Sequence, residues 1–293
     1  MYLVIGNEYD PCARAVRIAL ERHHHTVVID SNPFGAIGRF NWRFDSISSS
    51  VEYGLSHVGF GTDATLEGVF VRHFAGLQES DGWTADDLAY MRSESMAALL
   101  AWLHALDCPV IGRRSDDAWY RPTRPLPEWV SLLAACGLPT PRVVVTNVAD
   151  AALHEHAWGG RATYQPLTSP RTYAIGGGGW AELARVMQHV PVCLTEPVDA
   201  PLGAVTLACG QLFWSEPANH QRGCLEDGVR RVAERLESDF IQLNYANRAD
   251  GPKFTTVNLA PVFDRHTDME QVAIADRIVA QLVSSIVAAE VVS

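Results

Sequence analysis

Lysine is almost missing from this chain of 293 residues: of its 23 basic side chains, Lys253 is the single lysine and the rest are arginines. Any chemistry that needs an ammonium to hold phosphates must use Lys253 or do without. Acids outnumber bases by 34 to 23, and a formal net charge of −11 leaves no excess of cations to neutralise a nucleic-acid backbone. No apolar run approaches the ~20 residues of a membrane span. The opening MYLVIGNEYD lacks the basic-then-apolar order of a signal peptide. We therefore expect a cytoplasmic protein whose partners include neither membrane nor nucleic acid. The six cysteines contain no C-x-x-C pair and fall mostly in apolar surroundings, which reads as reduced core residues.

Several catalytic signatures are missing as well. There is no G-x-S-x-G elbow, which argues against an α/β-hydrolase nucleophile, and no G-x-x-x-x-G-K-[ST] phosphate loop. GNEYDP after the first strand is not G-x-G-x-x-G, so dinucleotide binding has little support. His23, His24 and His25 sit where a helix hands over to a strand, a place that favours imidazolium without any metal. His154 and His156 share a strand face while Glu155 points away, so neither histidine group predicts a metal site. The glycines at 176–179 run into a helix near Trp180 and read either as an anion cradle or as a plain connecting loop.

What is present is an ordinary globular composition, 47% apolar and 19% charged, long enough for two or three subdomains. YLVIG, CARAVRIALERH and TVVID form a strand–helix–strand unit, followed by a strand at GVFVRHF, a long helix capped by Thr84, and a strand at PVIG. Residues 1–115 thus predict a small doubly wound α/β domain. RRSDDAWYRPTRPLP reads as a connector. PEWVSLLAACGLPTPRVVVTN is a helix, a stop and a strand, RATYQPL and VPVCLTEPV are strands, and GAVTLACGQLFWSE turns at Gly210. The helix EDGVRRVAERLE, a strand pair turning at Asp250-Gly251, and a closing helix with Ile274, Ile278, Leu282 and Ile286 on one stripe complete the chain. That helix is expected to pack on its own lobe, with a dimer seam as the other possibility.

The ordered set DDLAYMRSE, LDCPVIGRRSDDAW, PEWVSLLAACGLPTPRVVVTN, TYQPLTSPRT, VPVCLTEPV and FTTVNLAPVF resembles the ATP-grasp superfamily, and most of all its small bacterial carboxylate–amine ligases that modify peptides or amino acids. The resemblance covers nearly the whole chain. It implies a mixed α/β and α+β architecture: an N-terminal pre-ATP-grasp α/β domain over 1–115, a central lobe over 116–199 and a C-terminal lobe over 200–293, with the lobes gripping ATP in a cleft. It also implies activation of a carboxylate as an acyl phosphate for attack by an amine.

Residue by residue, the family's charged groups are replaced. The lysine of a strand like Y-K-P-L is Gln165. The hinge like Q-E-Y-V keeps Glu196 and Val198, positions that meet an adenine in the family. An acid and an arginine after the hinge fall on Leu202 and Ala204, the metal-holding aspartate on Asn244, and the glutamate of a strand like E-V-N-P on Thr256, which leaves Asn258. Neutral oxygens complete a Mg²⁺ shell but do not replace its carboxylates.

Two readings follow. In the first, the cleft has lost ATP- and Mg-dependent ligation, needs no cofactor, and binds a peptide, a metabolite or a homologous protein. The alternative is a divergent ATP-dependent carboxylate–amine ligase, or a repurposed metal-free enzyme, in peptide or specialised-metabolite biosynthesis; only here are ATP and Mg expected. Arg161 and Arg171 are candidate anion-binding groups, with Arg72 and Arg92 behind them.

Overall fold

The computed structural model describes residues 1–31, 38–44, 49–55, 66–72, 82–113, 115–121, 124–148, 159–169, 171–197, 200–215 and 222–290. The first sheet is parallel: β1 (Tyr2–Ile5) lies between β2 (Val27–Asp30) and β5 (Gly68–Val71), and β6 (Val110–Ile111) flanks β5. All four residues of β1 and of β5 are buried, as apolar strands covered on both faces must be. Helix α1 (Pro11–Arg22) starts where the Asp10 carboxylate accepts from the Cys12 and Ala13 N–H groups, with proline at its first position. Helix α2 (Ala85–Ala105) starts on a reciprocal box between Thr84 and Asp87. A hairpin of β3 (Gly38–Phe44) and β4 (Ser49–Leu55), which the sequence reading had not placed, lies between β2 and β5 in the chain.

The segment taken for a connector carries a helix of its own, α3 (Asp116–Tyr120). Two acids in its first turn favour the helix, and Trp119 is buried and donates Nε1–H to the Met96 carbonyl. Helix α4 (Leu126–Ala135) follows. The second sheet is antiparallel, in the order β7 (Val143–Thr146), β10 (Val192–Thr195), β8 (Arg161–Gln165) and β9 (Tyr173–Gly176). Strand β9 falls where a loop was expected, held by cross-strand stacking of Tyr173 on Tyr164 at 5.9 Å. Helix α5 (Gly179–Met187) covers this sheet with Trp180, Leu183 and Met187.

The third sheet runs β12 (Gln211–Trp214), β11 (Leu202–Ala208), β13 (Phe240–Arg248) and β14 (Gly251–Asn258), all antiparallel. As expected, β11 and β12 turn at Gly210, and β14 opens at Gly251, whose φ of +114° suits glycine. Along β13, Ile241, Leu243 and Tyr245 join a core with α4 and helix α6 (Arg222–Arg235). The residues between them, Gln242 and Asn244, face the other way.

Helix α7 (Asp268–Glu290) packs on the strands that precede it, as expected, and also on the first sheet and α1. Ile274, Ile278 and Leu282 are fully buried in one cluster that joins Ala208, Phe213 and Phe240 to Tyr2, Val4, Cys12 and Val16 of the first sheet and α1. The apolar stripe was legible; the surface it covers is a neighbour 250 residues away in sequence. Ile286 lies outside the described side chains. Four cysteines are buried, whereas Cys108 is half-buried and Cys224 is exposed, so the core reading fails for Cys224. Truncating Ile278 to Ala should cost about 2–5 kcal/mol, as cavity-forming core truncations do, measured as a lowered midpoint of denaturant unfolding.

Candidate functional site

A cavity of about 450 Å³ opens between the second and third sheets, within the size range of small-molecule sites. Its wall includes Gln165 at the end of β8, Thr168 and Ser169 after it, Asn244 on β13, Thr256 and Asn258 on β14, and Arg124 with Trp129 at the start of α4. Four positions singled out by the family resemblance therefore meet at one place: Gln165, Asn244, Thr256 and Asn258.

Strand register explains part of this. Ala204, Asn244 and Thr256 are direct partners across β11, β13 and β14, so three positions where the family carries charge form one row. The row is closed by neutral groups. Asn244 Nδ2 donates to Thr256 Oγ1 at 3.1 Å, and Ala204 is fully buried. Asn258 turns its Oδ1 to the Ala260 N–H at 2.9 Å, and Gln165 Nε2 donates to the Ser169 carbonyl at 3.3 Å. Two carboxylates at such a separation repel unless a cation lies between them; an amide and a hydroxyl satisfy one another without one. These residues do not fit a Mg²⁺ ion, which needs anionic oxygens and several free lone pairs.

The remaining candidates lie elsewhere. Glu196 is buried beyond β10, its carboxylate held between Arg142 at 3.1 Å and Arg248 at 3.3 Å, and it does not line this cavity. Val198 lies outside the described residues, as do His154 and His156. Arg161 and Arg171 are exposed and absent from the cavity wall. Lys253 is 3.8 Å from Asp250 and does not reach the cavity. Arg72 is buried against Asp10 at 2.9 Å and Phe240, and Arg92 is exposed on α2. Among the described residues no group of three or more His, Cys, Asp or Glu is placed to hold a metal. Burial pushes the Cys193 thiol up to about 11, which keeps it protonated and poorly nucleophilic. The glycines at 177–179 stand apart from this cavity, with Gly177 at φ +51°.

Sequence reasoning missed Arg124, which sits in the proline-rich stretch RPTRPLP read as a connector. Among the described residues it is the one formally charged side chain on the cavity wall. Also missed was a buried polar cluster on the same face of the third sheet. Gln242 donates to Thr206 Oγ1 at 3.2 Å and to the Val262 carbonyl at 2.8 Å, and His266 Nε2 lies 2.8 Å from the same hydroxyl. Burial lowers the His266 pKa, against the pull of Glu270 and Asp264 in the other direction.

Comparison with solved structures identifies the fold. The ligase PsnB, solved with a minimal precursor, Mg and ADP, superposes with a TM-score of 0.70 at 21% identity over 96% of this chain and 98% of its own. A RiPP-associated ligase from Chryseobacterium gregarium, with ADP and a leader and core peptide, gives 0.75 at 12% identity over 97% and 96%. This is the ATP-grasp fold. The macrocyclase MdnC of Microcystis aeruginosa MRC, bound with its precursor peptide MdnA, shares the ATP-grasp fold at 0.74 and 13% identity over 97% and 99%. No protein-family model matches the sequence, and no curated protein matches it. In this ATP-grasp fold, among the described residues, no helix is long and apolar enough to cross a membrane.

The neutral row makes a direct expectation. Asn244→Asp with Thr256→Glu should lower the melting temperature in the absence of divalent cation and regain part of it with Mg²⁺, whereas the unmodified protein should show no Mg²⁺-dependent shift. A second expectation concerns pH. His266 is held below the free imidazole value, so the unfolded chain takes up that proton more readily. Its contribution to stability is full above about 6.5 and is lost as pH falls below it. Melting temperatures between pH 7.5 and 5 should fall more steeply for the unmodified protein than for His266→Gln.

Proposed function

We propose that the chain works in peptide modification, as a divergent carboxylate–amine ligase of the ATP-grasp fold that takes a peptide into the cleft between its second and third sheets. The observation that carries this reading is the end-to-end likeness to three solved ATP-grasp enzymes, each holding a precursor or a leader and core peptide. The neutral amides and hydroxyls of Gln165, Ser169, Asn244 and Asn258 are suited to the amide groups of a peptide. In this reading any nucleotide and metal are held by groups other than Asn244, Thr256 and Asn258, none of which is anionic.

One specific observation favours a second reading. The cavity wall carries no carboxylate among the described residues, so the same fold could serve to bind a peptide, a metabolite or a homologous protein without turning over ATP. The two readings part on one experiment: release of ADP from Mg·ATP by the purified chain, with and without a synthetic peptide bearing glutamate and lysine side chains. Peptide-dependent ADP release with loss of one water from the peptide mass is the expected result for the ligase. Peptide binding by calorimetry with ADP release at background would replace it with the binding reading.

A further inference from the structure

A second cavity, of about 440 Å³, shares no wall residue with the cleft. It opens where the first sheet meets the third: Val110 and Arg113 come from β6 and the turn after it, Leu207 from β11, and Ala233 from the last turn of α6. Five charged side chains line it, Arg113 and Arg230 with Glu234, Glu237 and Asp239, and all five keep accessible surface. Opposite charges on one wall gain by pairing with each other, yet among the described residues no two of these form an ion pair. The backbone keeps them apart. Arg230 is drawn to the Gly210 carbonyl at 2.5 Å. Glu237 stands at φ +48° in the turn that closes α6, where the Ser238 N–H reaches back to the Ala233 carbonyl.

Asp239 is the deepest of the acids. Its Oδ1 accepts from the Gly112 N–H at 2.9 Å, and its other oxygen has no side-chain partner among the described residues. Burial pushes this carboxyl up, against the Gly112 N–H and the Arg113 charge. A cation arriving beside it would favour its ionised form.

From this arrangement we propose that the cavity is a ligand site separate from the cleft, and that it takes a small zwitterion with an ammonium and a carboxylate on an apolar body. A ligand carrying both signs satisfies both sets of unpaired charges at once, which a simple anion or cation does not. The ammonium has three donors for the carboxylates of Asp239 and Glu237, and the Arg113 fork suits a carboxylate. Val110, Leu207 and Ala233 supply apolar surface for the body between them. The inference is independent of the ligase reading, since it uses neither the cleft nor ATP.

The test is a ligand-observed NMR titration of the full chain at pH 7, without nucleotide. The probes are free leucine, N-acetyl-leucine, which keeps only the carboxylate, and leucine amide, which keeps only the cation. Leucine should bind, and each single-charge analogue should bind at least about tenfold more weakly. Arg113→Gln and Glu237→Gln remove charge with little change of shape, and each should weaken leucine about tenfold. Arg113→Lys should keep more affinity than Arg113→Gln, which separates lost charge from a folding defect. Gln165→Ala alters the cleft and should leave leucine affinity unchanged. No leucine signal, an analogue that binds as tightly as leucine, or Arg113→Gln and Glu237→Gln proteins that bind like the parent would each overturn the assignment. So would loss of leucine binding in Gln165→Ala, because it would put the ligand in the cleft. Peptide-dependent ADP release is a separate measurement, so failure here is distinguishable from failure of the ligase reading.

Discussion

Strand β13 has to serve two environments at once, and most of the molecule is arranged around that demand. Ile241, Leu243 and Tyr245 enter a dry core with α4 and α6, while Gln242 and Asn244, one residue out of phase, face polar company. A shift of one residue in register would exchange the two sets, burying amides among leucines and valines. The register is therefore strongly specified, from Ala208 opposite Phe240 to Arg248 opposite Gly251. The β-bulge between Asn244 and Tyr245 lets β14 keep Thr256 beside Asn244 while Phe254 stays in the core.

The polar face of the third sheet is neutral, and this distinguishes the cavity from a site built to hold ions. Gln242 and His266 each meet the Thr206 hydroxyl, and Asn244 donates to Thr256. Such groups gain little from a metal and lose little without one. Charge is instead concentrated at the margins, where Glu196 bridges Arg142 and Arg248 and so links the second sheet to the end of β13. An ion pair of this kind, with partly exposed arginines, contributes modestly to stability but ties the end of β10 to the end of β13.

Much of this was legible in the sequence where local periodicity carries the information. The alternation in FIQLNYANR and the stripe of Ile274, Ile278 and Leu282 both follow from strand and helix periods. Capping by Thr84 was legible for the same reason, because a cap is made with groups three residues away. What escaped is non-local. An apolar stripe says that a helix is covered, not by what, so the reach of α7 to α1 was out of view. Strand β9 was hidden by the run of glycines that begins at its last residue, while stacking of Tyr173 on Tyr164 supports the strand. Arg124 was hidden by its prolines, which mark a turn but say nothing of the cavity beside it. The coincidence of Gln165, Asn244, Thr256 and Asn258 came from family pattern, and no periodicity would have found it.

The cluster that seats α7 against β1 and α1 also sets an order of events during synthesis. Tyr2, Val4, Cys12 and Val16 are made well before their apolar neighbours Ile274, Ile278 and Leu282. Domains generally condense from the amino terminus as they emerge, but here the first sheet cannot complete its packing until α7 has been translated. For that interval the nascent protein carries an open apolar face, and such surface is what chaperones bind.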